Sequence, residues 1–170
     1  MKKLRMLTMA MVVLMAMAVV VPSTFGRQGP TIAEIVVASS EGEEPQFTLL
    51  RAALETAGLV DVFNGNRQFT VFAPTDAAFL ALGEETLNAV LADTELLTNI
   101  LTYHVTTGNR GSQSVVNARQ IRMFNGDFAF PSIQGGNAFI NDSQIIITDI
   151  QASNGTIHVI DAVLLPPAGE

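Results

Sequence analysis

Two histidines, His104 and His158, and one carboxylate set inside an apolar run, Asp161, are the side chains whose types could move a proton. An acid–base pair must converge on one atom. If Thr156 to Leu165 is a strand, alternation sends Ile157, Val159, Asp161, Val163 and Leu165 to one side and His158, Ile160, Ala162 and Leu164 to the other. His158 and Asp161 then diverge, so no catalytic dyad is expected. A carboxylate in such a run must be paired, and the backbone amides of the Pro74-Thr75-Asp76 corner are the expected donors to Asp161. His104 shares a helical face with Leu97, Ile100 and Leu101. An imidazole placed there donates to a backbone carbonyl within the core.

Other chemistries find few residues to work with. The histidines stand 54 positions apart and have no companions at ligand spacing, so no metal site is expected. Glu41, Glu43 and Glu44 lack the alternating oxygen ligands of a calcium loop and read as a solvated acidic linker. Cysteine is absent, which excludes disulfides, thiolate ligands and thiol catalysis. No serine lies in a Gly-x-Ser-x-Gly elbow, and no glycine-rich phosphate cradle precedes a helix. The chain reads as a non-enzyme without a cofactor.

Helices occupy the first part of the chain. Thr31-Ile32-Ala33-Glu34 is a capping box that predicts a helix to Ala38. Leu50, Ala53, Leu54 and Ala57 repeat at helical spacing after Phe47; Gly58 is a stop, and Leu59 to Phe63 forms a short second piece. Asn64-Gly65 turns into a strand over 68–73. Thr75 or Asp76 then accepts the free amides of a helix beginning at Ala77. Glu84 and Glu85 open another helix, Asp93 caps a third, and Thr106-Thr107-Gly108 is turn chemistry. Residues 109–118 read as a loop or a poorly defined edge.

Beyond Ile121 the texture is β. Asn125-Gly126, Gly135-Gly136, Asn141-Asp142 and Asn154-Gly155 separate short runs rich in Ile, Val and Phe. The run from Thr156 is apolar on both sides, as a strand covered on both faces would be. Phe124, Phe128, Phe130 and Phe139 fall in or near the hairpins, with core occupancy expected for most of them. Helices grouped before strands define an α+β class, with no internal repeat.

Two segments carry a resemblance, Phe69-Thr70-Val71-Phe72-Ala73-Pro74-Thr75-Asp76-Ala77-Ala78-Phe79 and Asn154-Gly155-Thr156-Ile157-His158-Val159-Ile160-Asp161-Ala162-Val163-Leu164-Leu165-Pro166, with Tyr103-His104 between them. In this order they resemble the signature stretches and central Tyr-His of the fasciclin (FAS1) family of extracellular adhesion and matrix domains. The resemblance runs from about Thr31 to Pro167. It implies a small FAS1-like β-wedge packed against a layer of short helices, with Thr75, Asp76, His158 and Asp161 as structural motif residues. It also implies that Tyr103 and His104 belong to a partner-binding pair, implicated in the family in integrin recognition.

The chain opens with Lys2, Lys3 and Arg5, an uncharged stretch from Met6 to Val21, and Pro22-Ser23-Thr24-Phe25-Gly26, the order of a secretory signal peptide. Sixteen residues fall short of the roughly 20 of a spanning helix. Cleavage is expected before Arg27, giving a signal over 1–26 and one FAS1-like domain over 27–170. Removing three of the nine basic residues and none of the sixteen acidic ones leaves a net charge near −10 and no lysine. Such a body repels nucleic acid and anionic membranes, and no stable membrane insertion is expected once the signal is cut. The expected protein is secreted, periplasmic or attached to the cell surface. It is a monomer that binds an extracellular protein or a wall or matrix polymer through loops such as 109–120 and the turns at Asn125-Gly126 and Gly135-Gly136. The alternative is a carrier of a small apolar ligand held in a pocket between helices and wedge.

Overall fold

The capping box at Thr31 forms as the residue types require. The Thr31 hydroxyl accepts the Glu34 amide while the Glu34 carboxylate accepts the Thr31 amide, starting helix α1 (Ile32–Ser40). A computed structural model describes residues 29–41 and 46–167. The expected signal over 1–26 lies outside these residues.

Two further helices, α2 (Thr48–Thr56) and α3 (Val60–Asn64), follow, with Gly58 at φ +66° between them. Strand β1 (Phe69–Pro74) leads into α4 (Asp76–Ala81), α5 (Glu84–Ala92) and α6 (Thr94–Tyr103). Asp93 caps α6 by accepting the amides of Glu95 and Leu96. Thr106 and Thr107, expected to turn, instead belong to strand β2 (Val105–Thr107), because pairing with β1 satisfies their backbone; the turn falls at Gly108, φ +91°. Within the expected loop 109–118 a short helix forms, α7 (Ser112–Val116), anchored by fully buried Val115.

The β part consists of β3 (Ile121–Arg122), β4 (Phe128–Ala129), β5 (Pro131–Gln134), β6 (Asn137–Ile140), β7 (Ser143–Ala152) and β8 (Gly155–Ile160). Six strands form one curled sheet in the order β2-β1-β8-β7-β6-β5, while β3 and β4 make a separate ribbon. The sheet is mixed: β8 runs parallel to β1 and antiparallel to β7. Gly155 makes the parallel pairing possible, since a Cβ there would stand 1.8 Å from the Phe69 carbonyl oxygen.

β8 is buried along its whole length and covered on both faces. On one face Phe69, Val71, Ala73, Ile157 and Val159 join Leu50, Leu97, Ile100 and Leu101 in a core under the helices. On the other, Phe72 and Ile160 join Tyr103, Val115, Ile121, Met123, Ile140, Ile145 and Leu164 in a second core under the wedge. β8 ends at Ile160, so the strand expected to reach Leu165 is shorter, and Asp161 falls beyond it.

Candidate functional site

The strand-to-helix corner after β1 ties together two helices. Thr75 has extended backbone, and its hydroxyl accepts the Ala78 amide at 3.2 Å, capping α4. Asp76 turns away from its own helix: its carboxylate accepts the amides of Thr48 at 3.1 Å and Leu49 at 2.9 Å, the free donors at the start of α2. Asp161 is not the partner of this corner. It is exposed and accepts the Gln144 amide at 2.8 Å, returning a bond through its own amide to the Gln144 carbonyl. Because β8 ends before Asp161, the side chain reaches the neighbouring β7 rather than β1.

Tyr103 and His104 end α6 and are both only 2 % exposed. The Tyr103 hydroxyl donates to the Phe128 carbonyl and accepts from the Asn141 amide group, each at 2.9 Å, fastening the β3–β4 ribbon and the β6–β7 turn. His104 Nδ1 donates to the Ile100 carbonyl at 2.7 Å, and Nε2 accepts the Leu164 amide at 2.9 Å. Those partners fix the Nδ1–H tautomer, since a carbonyl only accepts and an amide N–H only donates. Burial lowers the imidazole pKa to about 4 against the pull of the Ile100 carbonyl. His104 is thus a neutral clamp holding the C-terminal segment to α6.

His158 is a second neutral clamp with the opposite tautomer. Its ring stacks on Phe72 of β1, centroids 5.6 Å apart. Nε2 donates to the Arg110 carbonyl at 2.9 Å and Nδ1 accepts the Asp149 amide at 3.2 Å. Burial lowers its pKa, opposed by the Arg110 carbonyl and the Asp149 charge. Three more side chains hold the same stretch of chain, Gly108 to Ser112. The Thr70 hydroxyl donates to the Gly108 carbonyl and accepts the Arg110 amide. Thr156 donates to Asn109, and Asp149 accepts the Ser112 amide at 2.8 Å. Asp149 itself sits at φ +61° in a bulged part of β7. Hydrogen bonding by Ser112 holds its carboxyl below the ordinary range.

Sequence reasoning missed Asn154 and Asn141. Asn154 is 2 % exposed; its amide group donates to the carbonyls of Phe63 and Gly65, and its oxygen accepts the Ile32 amide at 2.9 Å. One side chain thereby joins α1, the end of α3 and the start of β8. Asn141, at φ +51°, accepts the Phe130 amide and donates to Tyr103. Both asparagines, which open the glycosylation-type triplets Asn141-Asp142-Ser143 and Asn154-Gly155-Thr156, are therefore engaged within the fold. The legible signal was an Asn at a turn, which tolerates left-handed backbone; the partners lie 11 to 122 positions away.

Core occupancy, expected for most of the four hairpin phenylalanines, is met by none: Phe139 is half-buried and the other three are exposed. Phe124, Phe128 and Phe130 are 40 %, 41 % and 55 % exposed, because the two-stranded ribbon has too little area to cover them. The space between helices and sheet is filled. A void lined by Ile32, Leu54, Phe63, Val71, Leu101 and Val105 holds about 10 Å³, at most one water. Among the described residues there is no group of three or more His, Asp or Glu side chains placed to hold a metal ion. Nor is any helix among them long and apolar enough to cross a membrane.

A helical layer on a curled mixed sheet defines an α+β FAS1 fold, and the comparisons carry this to the family. Residues 45–166 match the fasciclin domain, and the chain belongs to that family. It is 36 % identical over 146 residues to the immunogenic protein MPB70 of Mycobacterium bovis, covering 83 % of this chain and 73 % of that one. It is 32 % identical over 156 residues to the cell surface glycolipoprotein MPB83 of the same organism, covering 85 % and 70 %. A solved FAS1 domain pair from the insect cell adhesion molecule fasciclin I superposes with a TM-score of 0.65 at 19 % identity, over 80 % of this chain and 51 % of that one.

Proposed function

We propose that this chain is an exported, non-catalytic adhesion or matrix-interaction domain that meets a protein or a wall or matrix polymer through the loops of its wedge. The observation that carries this reading is the exposure of Phe124, Phe128 and Phe130 around the Asn125-Gly126 turn, on a ribbon held rigidly by Tyr103. Exposed aromatic side chains on a fixed scaffold supply contact area at little entropic cost. Both nitrogens of each imidazole are engaged by backbone groups, so neither is free to take a proton from a substrate. Tyr103 and His104 act from within: Tyr103 holds the ribbon and the β6–β7 turn in place, and His104 holds the C-terminal segment to α6. The filled helix–sheet interior speaks against the apolar-ligand carrier, which would need a few hundred Å³. Residues 1–26 serve as the export signal, and the released domain is an acidic monomer at micromolar concentration.

Adhesion is tested with beads coated at equal density with the wild-type chain or with a Phe128→Ser, Phe130→Ser double variant, presented to envelope or matrix material from the source. The reading expects retention of wild-type beads, with most of it lost for the variant while its melting temperature stays near wild type. Equal retention of both would remove the ribbon as the contact surface.

A further inference from the structure

We propose that His158 and Asp149 form an acid-operated latch on the strap of chain from Gly108 through α7. The strap crosses the wedge side of β1 and β8 and is held there by Thr70, Thr156, His158 and Asp149. One of those bonds, from the Ser112 amide to Asp149, depends on the other ring nitrogen of His158. Nδ1 of His158 holds the Asp149 amide, which fixes Asp149 at φ +61°, and that backbone in turn aims its carboxylate at the Ser112 amide.

A proton on Nδ1 turns the acceptor into a donor. Imidazolium N–H and Asp149 N–H then face each other, and the bond between them is lost. The Asp149 carboxylate gains a charged donor nearby, which competes with the Ser112 amide for the same oxygens. When the carboxylate swings to the ring, α7 loses its tie to β7 and the strap keeps the threonine contacts, the His158 Nε2 bond to the Arg110 carbonyl and Val115. The groups facing the ring are Asp149 from β7, Arg110 through its carbonyl from the strap, and the uncharged Phe72 from β1; β8 carries no other titratable side chain. The surroundings of His104 offer no carboxylate of this kind, so its clamp opens only with the fold. Acid therefore loosens one loop region first. Its effect on attachment rests on the reading that the wedge loops meet the partner, whereas the latch itself is measured on the free chain.

The test is NMR on the purified 15N-labelled chain, titrated from about pH 7.5 to 4.5 with amide exchange read at each step. Ring nitrogen shifts should give the Nε2–H tautomer for His158 at neutral pH. Between the ordinary imidazole value of about 6.5 and the His158 midpoint, opening at Ser112 and Asp149, corrected for intrinsic exchange, should rise toward about tenfold per pH unit and level off below the midpoint, while Leu164 stays protected. In His158→Gln, whose amide supplies one donor and one acceptor without titrating, that rise should vanish. Asp149→Asn keeps an oxygen for Ser112 but removes the charge, and should lower the His158 midpoint by about half a pH unit or more. The latch is overturned by an Nδ1–H tautomer, by Ser112 and Asp149 opening only together with Leu164, or by an unchanged rise in His158→Gln. If His158→Gln does not fold, an unchanged midpoint in Asp149→Asn overturns it.

Discussion

The two faces of the β1–β8 pair are built on different principles. Toward the helices, Phe69, Val71, Ala73, Ile157 and Val159 are apolar without exception and are held by area alone. Toward the wedge, Thr70, Thr156 and His158 alternate with Phe72 and Ile160, so packing is combined with directional bonds to the strap. Burial without direction gives stability that one local change cannot switch. Directional bonds place a loop at a set position and can be released one at a time. The contrast separates a rigid, apolar middle from a face whose loop is held by individual bonds.

The largest break is expected where the two faces meet. Gly155→Ala would drive a Cβ into the Phe69 carbonyl and open the parallel ladder. Loss of more than about 4 kcal/mol is expected, read as failure to fold or as a collapse of the urea midpoint. On the helical face, Leu97→Ala should cost about 3 kcal/mol by urea unfolding, with little dependence on pH.

Acid should separate stability from structure. Both histidines have lowered pKa values in the fold, so between pH 6.5 and about 4 the unfolded chain binds more protons than the folded one. Stability is then full above pH 6.5 and falls as pH drops toward 4, with His104 alone contributing on the order of 3 kcal/mol. Urea midpoints across that range would show it, and a flat profile would mean that His104 is not buried as a neutral ring.

Smaller effects belong to the wedge face. Thr156→Val keeps the shape but removes the donor to Asn109, and should cost about 1 kcal/mol while raising amide exchange in the strap. A loss as large as that of Leu97→Ala would erase the distinction between the faces. Asp161→Asn is the mildest, within about 0.5 kcal/mol in the melting curve, because the exposed side chain keeps an oxygen for the Gln144 amide.

Family, fold class and most element boundaries were legible because local chemistry writes them. The Thr31–Glu34 box, the Asp93 cap and the Gly126 turn each act within a few residues, and β8 shows apolar residues on both faces. The expectation that His104 donates to a backbone carbonyl agrees with its bond to Ile100, one helical turn away. What failed was longer in range. Asp76 caps a helix that begins 28 positions earlier, Asp161 reaches back 17 positions to Gln144, and Asn154 binds an amide 122 positions away.

The amino-acid order by itself determined which stretches become helix, turn and strand, because capping, glycine conformations and side-chain periodicity act between near neighbours. Only the tertiary structure decided which buried polar group meets which amide, and so which imidazole is a fixed clamp and which sits beside a carboxylate that can answer a proton. The physical reason is that a polar side chain carries its number of donors and acceptors but not the identity of its partners. Those are supplied by whatever backbone the packed core brings within hydrogen-bond distance.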